Sequence, residues 1–408
     1  MISDNVQRSR DYRLFIVASI LMGLGSCVNS SAFNNYLRDV FQLDVARRTF
    51  LELPRELPGF LVSLFVGVLA AIGELRIAMI ANFLATAGML ALGWIPSSFI
   101  LMVGSVFVYS TGTHIYMPLA NSIGMGFASK GGEGSVLGRI NAAMTAAVVA
   151  GSALFLVIYR LLSPGYGAIF SVGAVLYLGA AVALFLMKPR PHLEAPRKFV
   201  VRREYGRFYL LSVLYGARKQ LFITFGPWML VSFFGQGVEM MTLLFFVISA
   251  AGIGAGPLIG RLTDRFGPRA VLGGEAILIV GVCIVYAFAP VLLPAGAALI
   301  VVSACYVVDQ TSSSVSMTRA VYVKKLVRSP DEISPTLSLG ITIDHAVAMF
   351  LPMLGGLAFA AGGAEGYKWV FLGGAVVSAL NFFVTRGLPK AEARSVLSGR
   401  ADTLAGKS

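Results

Sequence analysis

Charge is scarce in this chain. Only 13% of its 408 residues are Asp, Glu, Lys or Arg, about half the share in a soluble globular protein. That shortage excludes an ordinary soluble enzyme and a charge-rich disordered chain. Acidic residues are scarcer still, 20 against 33 Lys and Arg. The basic excess does not point to nucleic acid. Its members fall in short hydrophilic gaps between apolar runs, where membrane topology places them. The three cysteines, Cys27, Cys283 and Cys305, sit inside apolar runs. They show no metal-ligand spacing and make no disulfide framework. The three histidines lack an H-x-x-H-like spacing, and no clustered nucleophile and base stands out. An enzyme, a metal and a cofactor are therefore not expected. No phosphate-gripping Walker loop is present either, so nucleotide hydrolysis is not the energy source.

What the chain has in abundance is hydrophobic residues, 57% of the total. That is roughly 230 positions, enough for about ten to twelve membrane crossings of some 20 residues each. The first apolar run, Leu14 to Leu37, is too long for a signal peptide, and no small-residue cleavage site follows. It is read as a crossing. Uncharged runs place twelve crossings at about 13–37, 50–72, two within 77–129 broken at Ile95–Ser98, 139–161 and 166–187. The second set lies at about 208–234, 240–260, 270–289, 294–318, 335–360 and 367–386. The expected fold class is an all-α integral membrane protein. Its expected units are a six-helix bundle over 1–187, a basic linker over 188–207, a second bundle over 208–386 and a polar tail over 387–408.

With twelve crossings both termini share one side. The gaps on that side hold the large majority of the Lys and Arg residues, seven of them in 188–207 alone. The positive-inside rule then puts the termini in the cytoplasm, and the inner membrane is the expected location. The halves also resemble each other. Without gaps, Tyr12 falls on Tyr205, Gly23 on Gly216, Gly67 on Gly260 and Arg76 on Arg269. Two parallel halves with a solute site between them are a known transporter plan.

Between the eighth and ninth crossings stands Gly260-Arg-Leu-Thr-Asp-Arg-Phe-Gly-Pro-Arg269. It resembles the G-x-L-x-D-R-x-G-x-R loop of the major facilitator superfamily. The resemblance implies a gating loop formed by Gly260, Asp264, Arg265, Gly267 and Arg269. The first-half copy is degenerate. Gly67, Leu69 and Arg76 remain, Ala71 and Ile72 replace the acid and the arginine, and Glu74 stands at the second glycine. Glu74 with Arg76 is the expected substitute. The fifth crossing lacks the Gly-Pro pair of many drug antiporters in that superfamily. Gly256-Pro257 occurs in the eighth, where close helix packing is the simpler role.

Ionisable groups inside a membrane are costly, so each is a candidate functional residue. The resemblance implies that crossings 1, 4, 7 and 10 line the cavity. The seventh carries Tyr215, Arg218 and Lys219, either an anion site or a structural ion pair with an acid nearby. The tenth carries Tyr306, Asp309 and Gln310. Asp309 is either a proton carrier or the permanent partner of Arg218. The eleventh carries Asp344 and His345, either a proton relay or a packing pair, pointing about 100° apart. His114 in the fourth and Asn29 and Asn34 in the first suit solute recognition or interhelical hydrogen bonding. Glu52, Arg55 and Glu56 read as a charge cluster or outer gate, and Arg139 and Glu275 as structural.

The leading expectation is a monomeric secondary transporter working by alternating access. Its cargo would be a small polar, anionic organic solute, coupled to protons. Proton-driven efflux of drugs or metabolites is the alternative, and it calls for a largely apolar cavity with its cations neutralised. A sensor that binds without transporting is a third reading.

Overall fold

The computed structural model describes residues 2–62, 72–95, 98–128, 133–188, 201–329 and 332–388. Much of the second crossing, most of the linker and all but the start of the tail lie outside them. The described residues form helices and no strand. A bilayer offers no water to a backbone N–H or C=O, so a spanning segment must bond to itself.

The first half runs α1 (Ile2–Asp39), α2 (Val45–Phe50), α3 (Glu52–Phe60), α4 (Glu74–Trp94), α5 (Phe99–Met125), α6 (Glu133–Leu162) and α7 (Tyr166–Phe185). The second half runs α8 (Gly206–Trp228), α9 (Val238–Leu292), α10 (Ala295–Ser312), α11 (Ser316–Leu326), α12 (Ile333–Ala361) and α13 (Gly366–Arg386). Nine helices among the described residues are long and apolar enough to cross a membrane. One of these, α9, holds two crossings, the eighth and ninth. They are continuous except at Gly267, whose φ of 80° and ψ of 164° are non-helical. The superfamily-like motif is thus a kink rather than an open loop. Gly260 and Asp264 close one helix, and Arg269 begins the next and reaches the Leu388 carbonyl at 3.3 Å.

Three crossings differ from the sequence expectation. The second is split into α2 and α3, which meet at Leu51. Asp44 starts α2 by accepting a hydrogen bond from the Arg47 amide at 2.7 Å, a side-chain N-cap. The seventh continues past Trp228 through a π-turn, Met229–Phe233. The tenth passes through a 3-10 turn at Ser313–Val315 and runs on as α11 to Leu326. The Ser312 hydroxyl donates to the Asp309 carbonyl at 2.7 Å, the local competition that loosens a helix at serine. Arg319, counted as a loop residue from sequence, is therefore helical.

In the first half α4 packs on α5 and α7, and α1 on α6 and α7. In the second, α9 packs on α10 and α13, and α12 on α8. Across the halves, α2 and α3 lie on α12, and α6 lies on α9. These are crossings 2 with 11 and 5 with 8, equivalent pairs if crossings six apart correspond. At the end away from the termini, Arg38 of α1 donates to the Val231 carbonyl at 2.6 Å and Asn35 to the Gln236 carbonyl at 2.8 Å. At the same end Arg160 bonds Glu239 at 2.6 Å. The bundles are therefore tied together at that end.

At the termini end Glu332 accepts hydrogen bonds from Tyr205 and from Arg202. Those bonds hold its carboxyl below the usual carboxylate range. The sign of the linkage follows. The clasp stabilises above the ordinary glutamate value and weakens as pH falls through the lowered one. Glu332→Gln is expected to remove that acid-sensitive part of the melting curve, measured by thermal unfolding across a pH series. Gly267→Ala is expected to cost about 1–3 kcal/mol, because a Cβ is strained at that backbone conformation. The melting temperature in detergent reports it.

Candidate functional site

A cavity of about 240 Å³ lies between the halves. Asn29, Ser30 and Asn34 of α1 reach it, with Arg48 of α2 and Arg55 of α3. From the second half come Tyr306 and Gln310 of α10. The rest of the wall is apolar, including Phe33, Ile223, Pro227, Met241 and Phe245. Crossings 1, 7 and 10 thus contribute, with the second and eighth beside them.

The charges around this cavity are paired. Arg48 bonds Glu52 at 2.5 Å and reaches Asn34 at 3.3 Å. Arg55 pairs with Glu52 and, at 2.7 Å, with Glu56. Gln220 of α8 donates to Glu52 at 2.9 Å, and His345 of α12 meets Glu56 at 2.8 Å. Two arginines and two glutamates therefore form a charge-balanced ladder on the first half, hydrogen-bonded to the second. Polar valences remain open within it. Arg48 Nε and Asn29 Oδ1 are buried without a hydrogen-bond partner, although both residues line the cavity.

A second group lies behind Gln310. Its amide donates to Asp309 at 2.9 Å. The other Asp309 oxygen accepts from Arg218 at 2.6 Å, and the far side of that guanidinium bonds Glu275 at 2.6 Å. Arg218 is only 3% exposed. One cation between two carboxylates leaves this triad one negative charge in excess. Arg218 therefore faces its own protein's acids, and Gln310 stands between the triad and the cavity. Lys219 points about 100° away and is half-buried. Tyr215 lies under Arg319 at 3.8 Å and near Arg218 at 5.3 Å. Arg319 in turn bonds Asp344 at 3.0 Å. Asp344 and His345, adjacent in sequence and about 100° apart on α12, thus serve different neighbours.

Sequence reasoning brought Arg218 and Asp309 together as one of two options. It did not place Glu275 with them, nor Arg319 with Asp344. From sequence, Glu52, Arg55 and Glu56 lie near a helix end and Arg48 in the gap before it, none of them at the cavity. Their spacing of four, three and one residues was the available signal. In the gating region, Glu74 accepts from Ser122 at 2.8 Å, while Arg76, Asp264 and Arg265 are exposed.

The model of the Major Facilitator Superfamily matches residues 56–329, more than half of the chain. The chain belongs to this superfamily. No curated protein matches it in sequence. Solved structures of superfamily transporters share its fold. The nucleoside transporter NupG is 15% identical with a TM-score of 0.73, covering 93% of this chain and 98% of its own. A bacterial homologue of the human lysosomal transporter Spinster, captured inward-facing and occupied, is 17% identical with a TM-score of 0.71, covering 94% and 97%. A D-xylose–proton symporter is 13% identical with a TM-score of 0.68, covering 94% and 98%. At these identities the likeness carries the twelve-helix fold, and the chain is a membrane transporter by family rather than an enzyme.

Removing one partner of a buried ion group strands the others. Arg218→Gln is expected to destabilise by about 3–5 kcal/mol near neutral pH. The loss should shrink as pH falls, because protonation removes the orphaned charge. Thermal unfolding of wild type and variant at two pH values checks both parts.

Proposed function

We propose that the protein is a secondary active transporter of a small polar organic solute without net charge, driven by protons through the Asp309–Arg218–Glu275 triad. One observation carries the reading. The cavity between the halves is rich in neutral hydrogen-bonding groups, and the charges beside it are balanced. Asn29, Ser30, Asn34, Tyr306 and Gln310 suit hydroxyl, carbonyl and amide groups. The apolar wall suits the face of a ring. A purely apolar efflux cavity would not carry so many amides.

The anionic expectation rested on Arg218 and Lys219. With Arg218 held by two acids, an anion would have to be received by Arg48 and Arg55 instead. Arg48, which lines the cavity and keeps a buried Nε without a hydrogen-bond partner, supports that second reading. Arg48→Gln separates the two, since Glu52 keeps Arg55 and Gln220 as partners.

The charge count supports proton coupling. A triad with one carboxylate in excess becomes neutral by taking up one proton, and burial penalises the uncompensated charge. Gln310 touches both Asp309 and the cavity, so solute and proton occupancy share one hydrogen-bonded chain. The ties at the end away from the termini make this the state closed there. Asp344 with Arg319 and Tyr215 stands nearer the termini, where the seventh and eleventh crossings must part or close.

The test is counterflow and pH-driven uptake in vesicles with a panel of nucleosides, sugars, amino acids and carboxylates. Asp309→Asn is expected to keep counterflow and lose uphill uptake. Asn34→Ala and Gln310→Ala are each expected to raise the half-saturation concentration about 3- to 10-fold, the worth of one hydrogen bond. Carboxylate-only transport abolished by Arg48→Gln would replace the uncharged solute by an anion. Uphill uptake surviving in Asp309→Asn would remove the triad from coupling.

A further inference from the structure

Two of the chain's three histidines meet at the boundary between the halves. His114 of α5 and His345 of α12 have ring centroids 5.0 Å apart, at 76°. Glu56 of α3 stands between them. One ligand atom from each of the three lies within 4.8 Å of the others. Their side chains are 12%, 11% and 6% exposed, in that order.

Hydrogen bonding settles which way the His114 imidazole faces. The Ser110 hydroxyl donates its only proton to the Arg55 carbonyl, which can only accept. Ser110's own carbonyl lies 2.9 Å from His114 Nδ1. Nδ1 must therefore carry the ring proton. Neutral His114 then turns the lone pair of Nε2 toward Glu56 Oε2, 4.0 Å away. Arg55 holds the other carboxylate oxygen at 2.7 Å, leaving Oε2 for the imidazoles. His345 Nδ1 lies 2.8 Å from the same Oε2. Two electron-pair donors, Nε2 and Oε2, thus face each other with no hydrogen between them, beside a second imidazole.

We propose that Glu56, His114 and His345 bind a divalent transition-metal ion of the zinc, cobalt and nickel class, across the two halves. The donor set is one such ions favour, two imidazoles and a carboxylate. The supporting bonds are those expected behind metal ligands. A carbonyl sits behind one imidazole and an arginine behind the carboxylate. Bond lengths of about 2.0–2.2 Å require donor atoms about 3.4 Å apart, so the 4.0 Å His114 distance must close and the 2.8 Å His345 contact must open, each by about 0.6 Å. When His345 Nδ1 ligates, its ring proton passes to Nε2, so the imidazole binds as a neutral ligand. Gly59 makes the space. A Cβ there would lie 2.6 Å from His114 Cδ2 and 2.6 Å from His345 Nδ1. The bound ion ties α3 and α5 to α12 and holds the halves as they are here. That consequence rests on the alternating-access reading, whereas coordination itself does not.

The experiment is a Co²⁺ titration of detergent-purified protein free of any polyhistidine tag, near neutral pH. Wild type is expected to develop the visible bands of low-coordinate cobalt, which one equivalent of Zn²⁺ removes. His114→Gln and His345→Gln are each expected to weaken binding about 100-fold or more, and His192→Gln to leave it unchanged. Zinc-edge X-ray absorption of the His192→Gln protein keeps His114 and His345 intact and needs neither of the other variants to fold. It is expected to show two imidazoles around the ion. A spectrum of aqueous cobalt only, bands that persist in both glutamine variants, or a zinc shell without imidazole would each overturn the site. In vesicles, Zn²⁺ is expected to slow counterflow by the wild type and not by His345→Gln. Vesicles in which no solute exchanges would count against the transport reading and leave the cobalt result standing.

Discussion

Hydrocarbon cannot solvate charge, and this structure is organised around that fact. The backbone answers it with helices throughout the described residues. The side chains answer it by pairing. Arg48, Arg55, Arg218 and Arg319 each find a carboxylate on their own or a neighbouring helix. Few cations in the membrane interior are left to attract a ligand by charge alone. On the function proposed above, hydrogen bonding and shape recognise the cargo.

The pairings also divide the labour between the halves. The Arg48–Glu52–Arg55–Glu56 ladder belongs to the first half and offers oxygens to the second, where Gln220 and His345 reach them. The Arg218 triad belongs wholly to the second half and approaches the cavity through Gln310. An internally balanced ladder can lose its outside partners without stranding a charge. A triad with an extra carboxylate is one that a single proton would neutralise. The first suits a separable contact and the second suits coupling.

Helix interruptions are concentrated where local chemistry permits them. The second crossing is split around Leu51, the tenth loosens through its serine run, and the seventh widens into a π-turn. Each break sits beside a cavity residue or an inter-half bond: Arg48 and Arg55 at the first, Gln310 at the second, Val231 at the third. Helix interruptions at such places let a short segment bend while the rest of the helix keeps its packing.

Composition and periodicity alone determined much of this protein. Apolar runs of about 20 residues must become helices in a bilayer, so the crossings were legible. So were the two-half plan, from matches such as Gly67 with Gly260, and the superfamily, from Gly260–Arg269. Residue type also marked Arg218, Asp309, Asp344 and His345 as costly to bury. Only the tertiary structure decided their partners. Glu275 and Arg218 are far apart in sequence, and Arg319 seemed to lie beyond a helix that in fact continues. No periodicity within one helix specifies which face of another it meets, because lipid and protein neighbours are equally apolar. The partner of a buried charge is therefore set by packing between helices, and that packing turned Arg218 from a free cation into one held by two acids.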